Sequence, residues 1–405
     1  MASEGLGAAR ATEDQHRTIV ARLRAAAYAA DAKAADIEAL HAAEIDLARA
    51  EGERAKLETA EGEGVIAGEK LGHLFSAPGG NNVLVPSITL AMAQVPIAIC
   101  HLLRRDETPL LRISLENRGA STRRVRVTSF IEGYSARAVD TFDVPTTGSK
   151  GAQLPTLFPE HVQQVDELTR ATVNVLVEAL DGTGIELHRT EPVWLLARTS
   201  VPYAVKDPST GGWADFTKYF GAFVTPNAPA VMAFLPTIAA KHPKGQLVGY
   251  QEGPADVRAQ VEATFAALKG HGVQYVNSTT AFGPDDGEVI QRVRLPAQTL
   301  ALKGGTGANC IDGTVLFASL LEAMTLNAAI VTLPGHAIVA WETEKGADTW
   351  DYVDTVLIHN AEFGDANQRG RAHATPVEKL FAIPTSKYNR WSIRGLRAMG
   401  ITPTY

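Results

Sequence analysis

The hydrophobic period of this chain changes twice, and each change limits what the segment can fold into. Residues 13–61 are rich in Ala, Glu, Arg, Lys and Leu and contain no proline, a set of strong helix formers. Val20, Leu23, Ala27, Ala30, Ala34 and Ile37 recur in steps of three and four, and Leu40, Ala43, Leu47 and Ala50 restart the stripe after a slip of phase. Such a slip disturbs a coiled coil locally. The pattern predicts a long helix or helical hairpin over residues 1–64, closed by Gly62, Gly64 and Gly68. Its alanine-dominated stripe suits either packing on the rest of the protein or docking of a partner.

From about residue 83 the period becomes two. Leu111, Ile113 and Leu115 alternate with Arg112, Ser114 and Glu116, and Asn117 and Gly119 then supply a turn. Val125, Val127 and Ile131 continue the pattern, as do Val173, Val175 and Val177 before an Asp-Gly turn. Short alternating strands between turn residues predict an antiparallel β-sandwich over residues 83–203. "AVKDPSTGGW" reads as the linker that follows it.

Residues 212–405 mix the two periods. "APAVMAFLPTIAAKH" and "PADVRAQVEATFAALKGHG" read as helices, with Val257, Val261, Phe265 and Leu268 at helical spacing in the second. After "VQYV" and the apolar run that follows Cys310, "NAAIVTL", "HAIVAWE" and "TWDYVDTVLI" read as consecutive strands. One buried helix followed by antiparallel strands makes this domain, and the chain as a whole, α+β.

The 405 residues are 45% hydrophobic and carry a net charge of −7. That charge disfavours a dedicated nucleic-acid binder, which needs a basic stripe. Two cysteines, Cys100 and Cys310, make no disulfide framework and suit a reducing compartment. Cys100 lies in an apolar stretch and reads as a small buried hydrophobe in a strand. The N-terminus shows no apolar signal segment, and residues 88–103, the most membrane-like, are interrupted by Gln94, Pro96 and His101. A cytoplasmic protein with no membrane contact is expected. Neither HExxH nor CxxC is present, and the glycines before Cys310 lack the GK[ST] of a phosphate loop. No metal and no cofactor are expected.

The chemistry gathers around Cys310. With Asn309 as N-cap, Cys310 is the first helical residue and Asp312 the third, an arrangement that satisfies the free N–H groups of a helix start. Ile311, Val315, Leu316, Phe317, Leu320, Leu321 and Met324 cover most of the helix circumference, so the helix is buried on several sides. A thiol at such an N-terminus meets a partial positive charge and unpaired N–H groups, which favour a thiolate and can face an oxyanion. Gly304, Gly305 and Gly307 precede it. His336 opens the strand after Pro334-Gly335, and Asp351 and Asp354 lie on the next. Cysteine, histidine and acid in this order supply nucleophile, base and orienter. Face parity puts Asp351 and Asp354 on opposite sides of a strand. Asp354 shares its face with Trp350 and Tyr352, which would shield the histidine–carboxylate bond.

"GTGANCIDGTVLFASLLEAMTLNAAIVTLPGHAIVAWE", followed by "TWDYVDTV", resembles the transglutaminase-like superfamily of papain-type cysteine enzymes. In particular it resembles the bacterial domains that also occur beside helicase modules. The similarity extends upstream through "FVTPNAPAV", "GYQEGPADVRAQVEATFAAL" and "VRLPAQTL". The resemblance implies a papain-like catalytic domain with nucleophile Cys310, base His336 and acid Asp354, and with an aspartate at Asp312. "TGANC" departs from it, since glycine-threonine is expected directly before the cysteine. Gln298 is a candidate side chain for the oxyanion site. The expected activity is hydrolysis of protein amide bonds through an acyl-enzyme, as in a peptidase. Transamidation is the alternative, and a partner-binding assembly protein with an inert domain is the non-enzymatic one. The expected partners are a protein substrate and a regulatory protein bound through residues 1–64 and the sandwich.

Overall fold

The computed structural model describes residues 2–27, 35–36, 39–40, 42–43, 46–47, 50, 83–181, 184–206, 213–276, 290–301, 306–383 and 386–404. The rest of the predicted arm, its closing glycines, Gly304, Gly305 and most of the linker lie outside these residues. The fold is mixed α+β, with an N-terminal helix and several sheets. The described residues divide into two compact units. One takes in those of Lys70–Phe216 and Thr280–Arg292, the other those of Met1–Glu69, Thr217–Thr279 and Val293–Tyr405.

The first unit contains β1 (Leu84–Leu90), β2 (Gln94–Val95), β3 (Leu111–Asn117), β4 (Arg123–Ile131), β5 (Ala138–Val144), β6 (Ser149–Gln153), β7 (Thr169–Ala179) and β8 (Gly184–Leu195). They form a three-stranded sheet in the order β1-β3-β6 and a five-stranded sheet in the order β2-β8-β7-β4-β5. All pairings are antiparallel except β2 with β8. The alternation read from the sequence is the burial pattern: Leu111, Ile113, Leu115, Val125, Val127, Val173, Val175 and Val177 are all buried. Asn117 closes the turn after β3, its side chain binding Ser121 and Val144 carbonyls and the Gly119 N–H. Cys100 is not in a strand. It lies half-buried in a 3-10 helix, Ile97–Leu102, that starts at Pro96, where proline removes the N–H a strand ladder needs. Ile290–Arg292 pairs with Ser200–Pro202 in this same unit.

The second unit begins with α1 (Ala2–Ala27). Val20, Leu40 and Ala43 are buried together. The unit continues with α2 (Pro229–Ala239), α3 (Pro254–His271), β9 (Val273–Tyr275), α4 (Pro296–Ala301), β10 (Thr306–Ala308), α5 (Cys310–Ala323), β11 (Ala328–Leu333), β12 (His336–Glu342), β13 (Trp350–Val353), α6 (Phe363–Ala374), β14 (Asn389–Ser392) and α7 (Ile393–Ala398). β9 and β10 pair in parallel. The main sheet is antiparallel, ordered β13-β12-β11-β14. Ile311, Val315, Leu316, Phe317, Leu320 and Leu321 of α5 are fully buried, each contributing about 1.5–3 kcal/mol, so α5 is a fixed central element. Among the described residues, no helix is long and apolar enough to cross a membrane.

Candidate active site

The start of α5 is held as its sequence requires. The Asn309 side chain accepts the Asp312 N–H at 2.8 Å, and Asp312 accepts the Asn309 N–H at 3.2 Å. Asp312 is fully buried and also accepts the Arg294 N–H at 2.7 Å. The Arg294 guanidinium ties this carboxylate to the Gly307 carbonyl. In "TGANC", Ala308 ends β10 and its carbonyl accepts the Val276 N–H, while Asn309 is the cap. Cys310 therefore sits, half-buried, as the first residue of a rigid helix.

β11 and β12 form a hairpin over Pro334-Gly335, with Leu333 opposite His336. Gly335 adopts a left-handed φ of 73°, open to glycine without steric cost. The turn places the His336 ring, 3% exposed, against both partners. Its Nε2 lies 3.2 Å from Asp354 Oδ2, and the Cys310 side chain is near enough to favour its charged form. Burial is the largest influence on this ring and favours its neutral form. The Asp354 carboxylate and the Cys310 sulfur outweigh burial, so the imidazole pKa is pushed up from 6.5 to about 9.

Asp354 lies one residue beyond the end of β13 rather than within it. It caps the 3-10 turn Thr355–Leu357, Oδ1 accepting the Val356 N–H at 3.2 Å, and its own N–H donates to the Ala366 carbonyl at 3.0 Å. It is fully buried. Burial pushes its carboxyl up, but His336 first, then His373 and Arg369, hold it down at about 2. Trp350 and Tyr352 belong to a cluster with Val331, Ile338, Leu380 and Phe381, and the strand ends before Asp354, which caps the following turn. α6 brings two basic groups to Asp354, Arg369 and His373. The sequence reading assigned no element to that segment. Its signal was an arginine and a histidine four residues apart in "RGRAHA".

Asp351 serves elsewhere. Arg371 binds both its oxygens at 2.6 Å, Asn367 donates at 2.9 Å and Arg258 at 3.3 Å. Burial pushes its carboxyl up, but Arg371, the Tyr352 N–H and Asn367 together outweigh this, so the group is held below its usual range. Gln298 accepts the Leu295 N–H through its side-chain oxygen at 3.0 Å, at the start of α4. Burial pushes the Cys100 thiol up, which disfavours reactivity.

His336, Asp354 and His373 offer ligand atoms within 4.8 Å of one another, the number and type a metal site needs. A cation at Asp354 Oδ2 would, however, meet the Arg369 guanidinium, whose Nε stands 3.3 Å from that oxygen. The arrangement suits proton transfer between a thiol and an imidazole braced by a carboxylate. No protein-family model and no curated protein matches the chain.

Proposed function

We propose that this chain is a transglutaminase-like thiol hydrolase acting on protein amide bonds, with Cys310 as nucleophile, His336 as proton carrier and Asp354 as orienter. The observation that carries the reading is the buried His336–Asp354 pair, 3.2 Å from Nε2 to Oδ2, with Cys310 acting on the same ring from the N-terminus of a buried helix. Three residues from three separate elements meet there, two of them almost wholly buried. On this reading the second unit is a papain-like catalytic domain, and the two sheets of the first form a β-sandwich. Two free cysteines support a cytoplasmic setting.

With Nε2 engaged by Asp354, Nδ1 is the nitrogen that exchanges a proton with the thiol. The thiolate attacks the amide carbonyl, and the C=O π electrons move onto oxygen. The N–H of Cys310, first in its helix, is a donor for that oxyanion. The imidazolium gives its proton to the leaving amine as the C–N bond breaks. Water then loses a proton to His336 and attacks the thioester, releasing acid and thiol. If a primary amine replaces water, the same steps yield transamidation.

Residues 1–64 and the sandwich are read as the recruiting or restraining parts, since neither carries chemistry of its own. Ala372 of α6 lies beside the buried set Val20, Leu40 and Ala43, so these residues of the arm pack on the proposed catalytic unit.

The test is covalent labelling by a peptidyl vinyl sulfone, located by peptide mass spectrometry. Labelling at Cys310, lost in Cys310→Ala with an unchanged melting curve, is the expected result. A folded protein that stays unlabelled would make the domain an inert scaffold and end the reading. Peptide release from casein against incorporation of a fluorescent alkylamine then separates hydrolysis from transamidation.

A further inference from the structure

α6 is laid on β13 almost backbone to backbone. A Cβ at Gly370 would come 2.7 Å from the Tyr352 carbonyl carbon and 2.8 Å from the Val353 nitrogen. Asn367 donates to the Tyr352 carbonyl at 2.8 Å, and the Ala366 carbonyl receives the Asp354 N–H. This docking brings one face of α6 to the acid, and Arg369 and His373, four residues apart, share that face. The Arg369 Nε is 3.3 Å and the His373 Nε2 3.6 Å from Asp354 Oδ2, with side chains 7% and 0% exposed. The two histidine rings lie 5.0 Å apart, centroid to centroid.

We propose that Arg369 and His373 are positioning residues that hold the Asp354 carboxylate ionised and aimed at His336. The inference rests on the reading of Cys310, His336 and Asp354 as a thiol triad. Oδ1 is held by the Val356 N–H, and three groups converge on Oδ2. A carboxylate fixed at both oxygens does not rotate away from the imidazole. A buried acid with no cation beside it would favour its neutral form, and a neutral acid gives the imidazolium no charge to lean on. Removing Arg369 frees the carboxylate, and the His336 imidazolium beside Cys310 loses the group that braces it.

The experiment measures alkylation of Cys310 by iodoacetamide at pH 7 in the full chain, followed on the Cys310 peptide with glutathione as reference. Arg369→Met is expected to slow it about tenfold, equivalent to about 1.4 kcal/mol in the barrier, and His373→Leu to slow it in the same direction. Arg369→Lys, which keeps the charge, is expected to recover most of the rate. In an Asp354→Asn background, Arg369→Met should have no further effect. A folded Arg369→Met protein that reacts at the wild-type rate overturns the inference. So does the same slowing in the Asp354→Asn background, since Arg369 would then act without the acid. If Arg369→Met does not fold, Arg369→Gln carries the same comparison. A wild-type Cys310 no faster than glutathione defeats the triad reading itself, a separate result from an activated Cys310 indifferent to Arg369.

Discussion

Asp354 caps a turn with one oxygen and meets His336 with the other. Asp351, three residues earlier, gives both oxygens to Arg371 and one also to Asn367. Substitution should therefore separate them. Asp354→Asn removes the charge that supports the imidazolium and should lower turnover by about 10²–10⁴, as loss of the orienter does in other triads. Asp351→Asn should leave Cys310 reactivity near wild type and reduce stability in a urea titration by about 1–2 kcal/mol, less than a buried charged bond because the Arg371 side chain is 55% exposed. The reverse ranking would assign the triad acid to Asp351. At this scale the sequence was informative wherever the chemistry is local. Asn309 and Asp312 cap α5 as their spacing requires, and Cys310 stands where that cap puts it. The surroundings of Asp354 were not legible, because Arg369 and His373 reach it only through the docking of a helix that shows no clear apolar stripe.

That docking depends on one glycine. In an exposed helix interior, Gly→Ala gains up to about 1 kcal/mol. At Gly370 the new methyl would press on the Tyr352 and Val353 backbone, which cannot rotate away as a side chain can. Overpacking typically costs about 1–3 kcal/mol, so the clash wins. Gly370→Ala should lower the urea midpoint and slow Cys310 alkylation, while far-ultraviolet circular dichroism retains its helical signal. A stabilised, fully reactive variant would mean that α6 does not lie on β13 in this way. Element types followed from period: α3 carries Val257, Val261, Phe265 and Leu268 into the core and ends at Gly272 with a left-handed φ of 87°. Element ends did not. "TWDYVDTVLI" reads as one strand, yet only Trp350–Val353 pairs, and Asp354 turns the chain. The apolar run around Cys100 looked like a strand for the same reason, before Pro96 turned it into a 3-10 helix.

Across the whole molecule, the three proposed triad residues belong to a single unit. The order of arm, alternating strands and mixed-period region was legible because hydrophobic period is a local property. The pairing of Ile290–Arg292 with Ser200–Pro202 was not, since nothing in a three-residue strand names a partner so distant in sequence. The central claim is that Cys310 is an activated thiol, and the pH dependence of its alkylation addresses that claim most directly. His336 keeps its proton up to about pH 9, well above its ordinary 6.5. Through neutral pH the sulfur therefore faces an imidazolium, and that help fades as the pH rises past about 9. At about pH 6, Cys310 is expected to react with iodoacetamide at least about tenfold faster than glutathione, a margin of about 1.4 kcal/mol in the barrier. The advantage should shrink above about pH 9 and vanish in His336→Ala. A Cys310 rate that follows glutathione across the whole range, in wild type and His336→Ala alike, would contradict it.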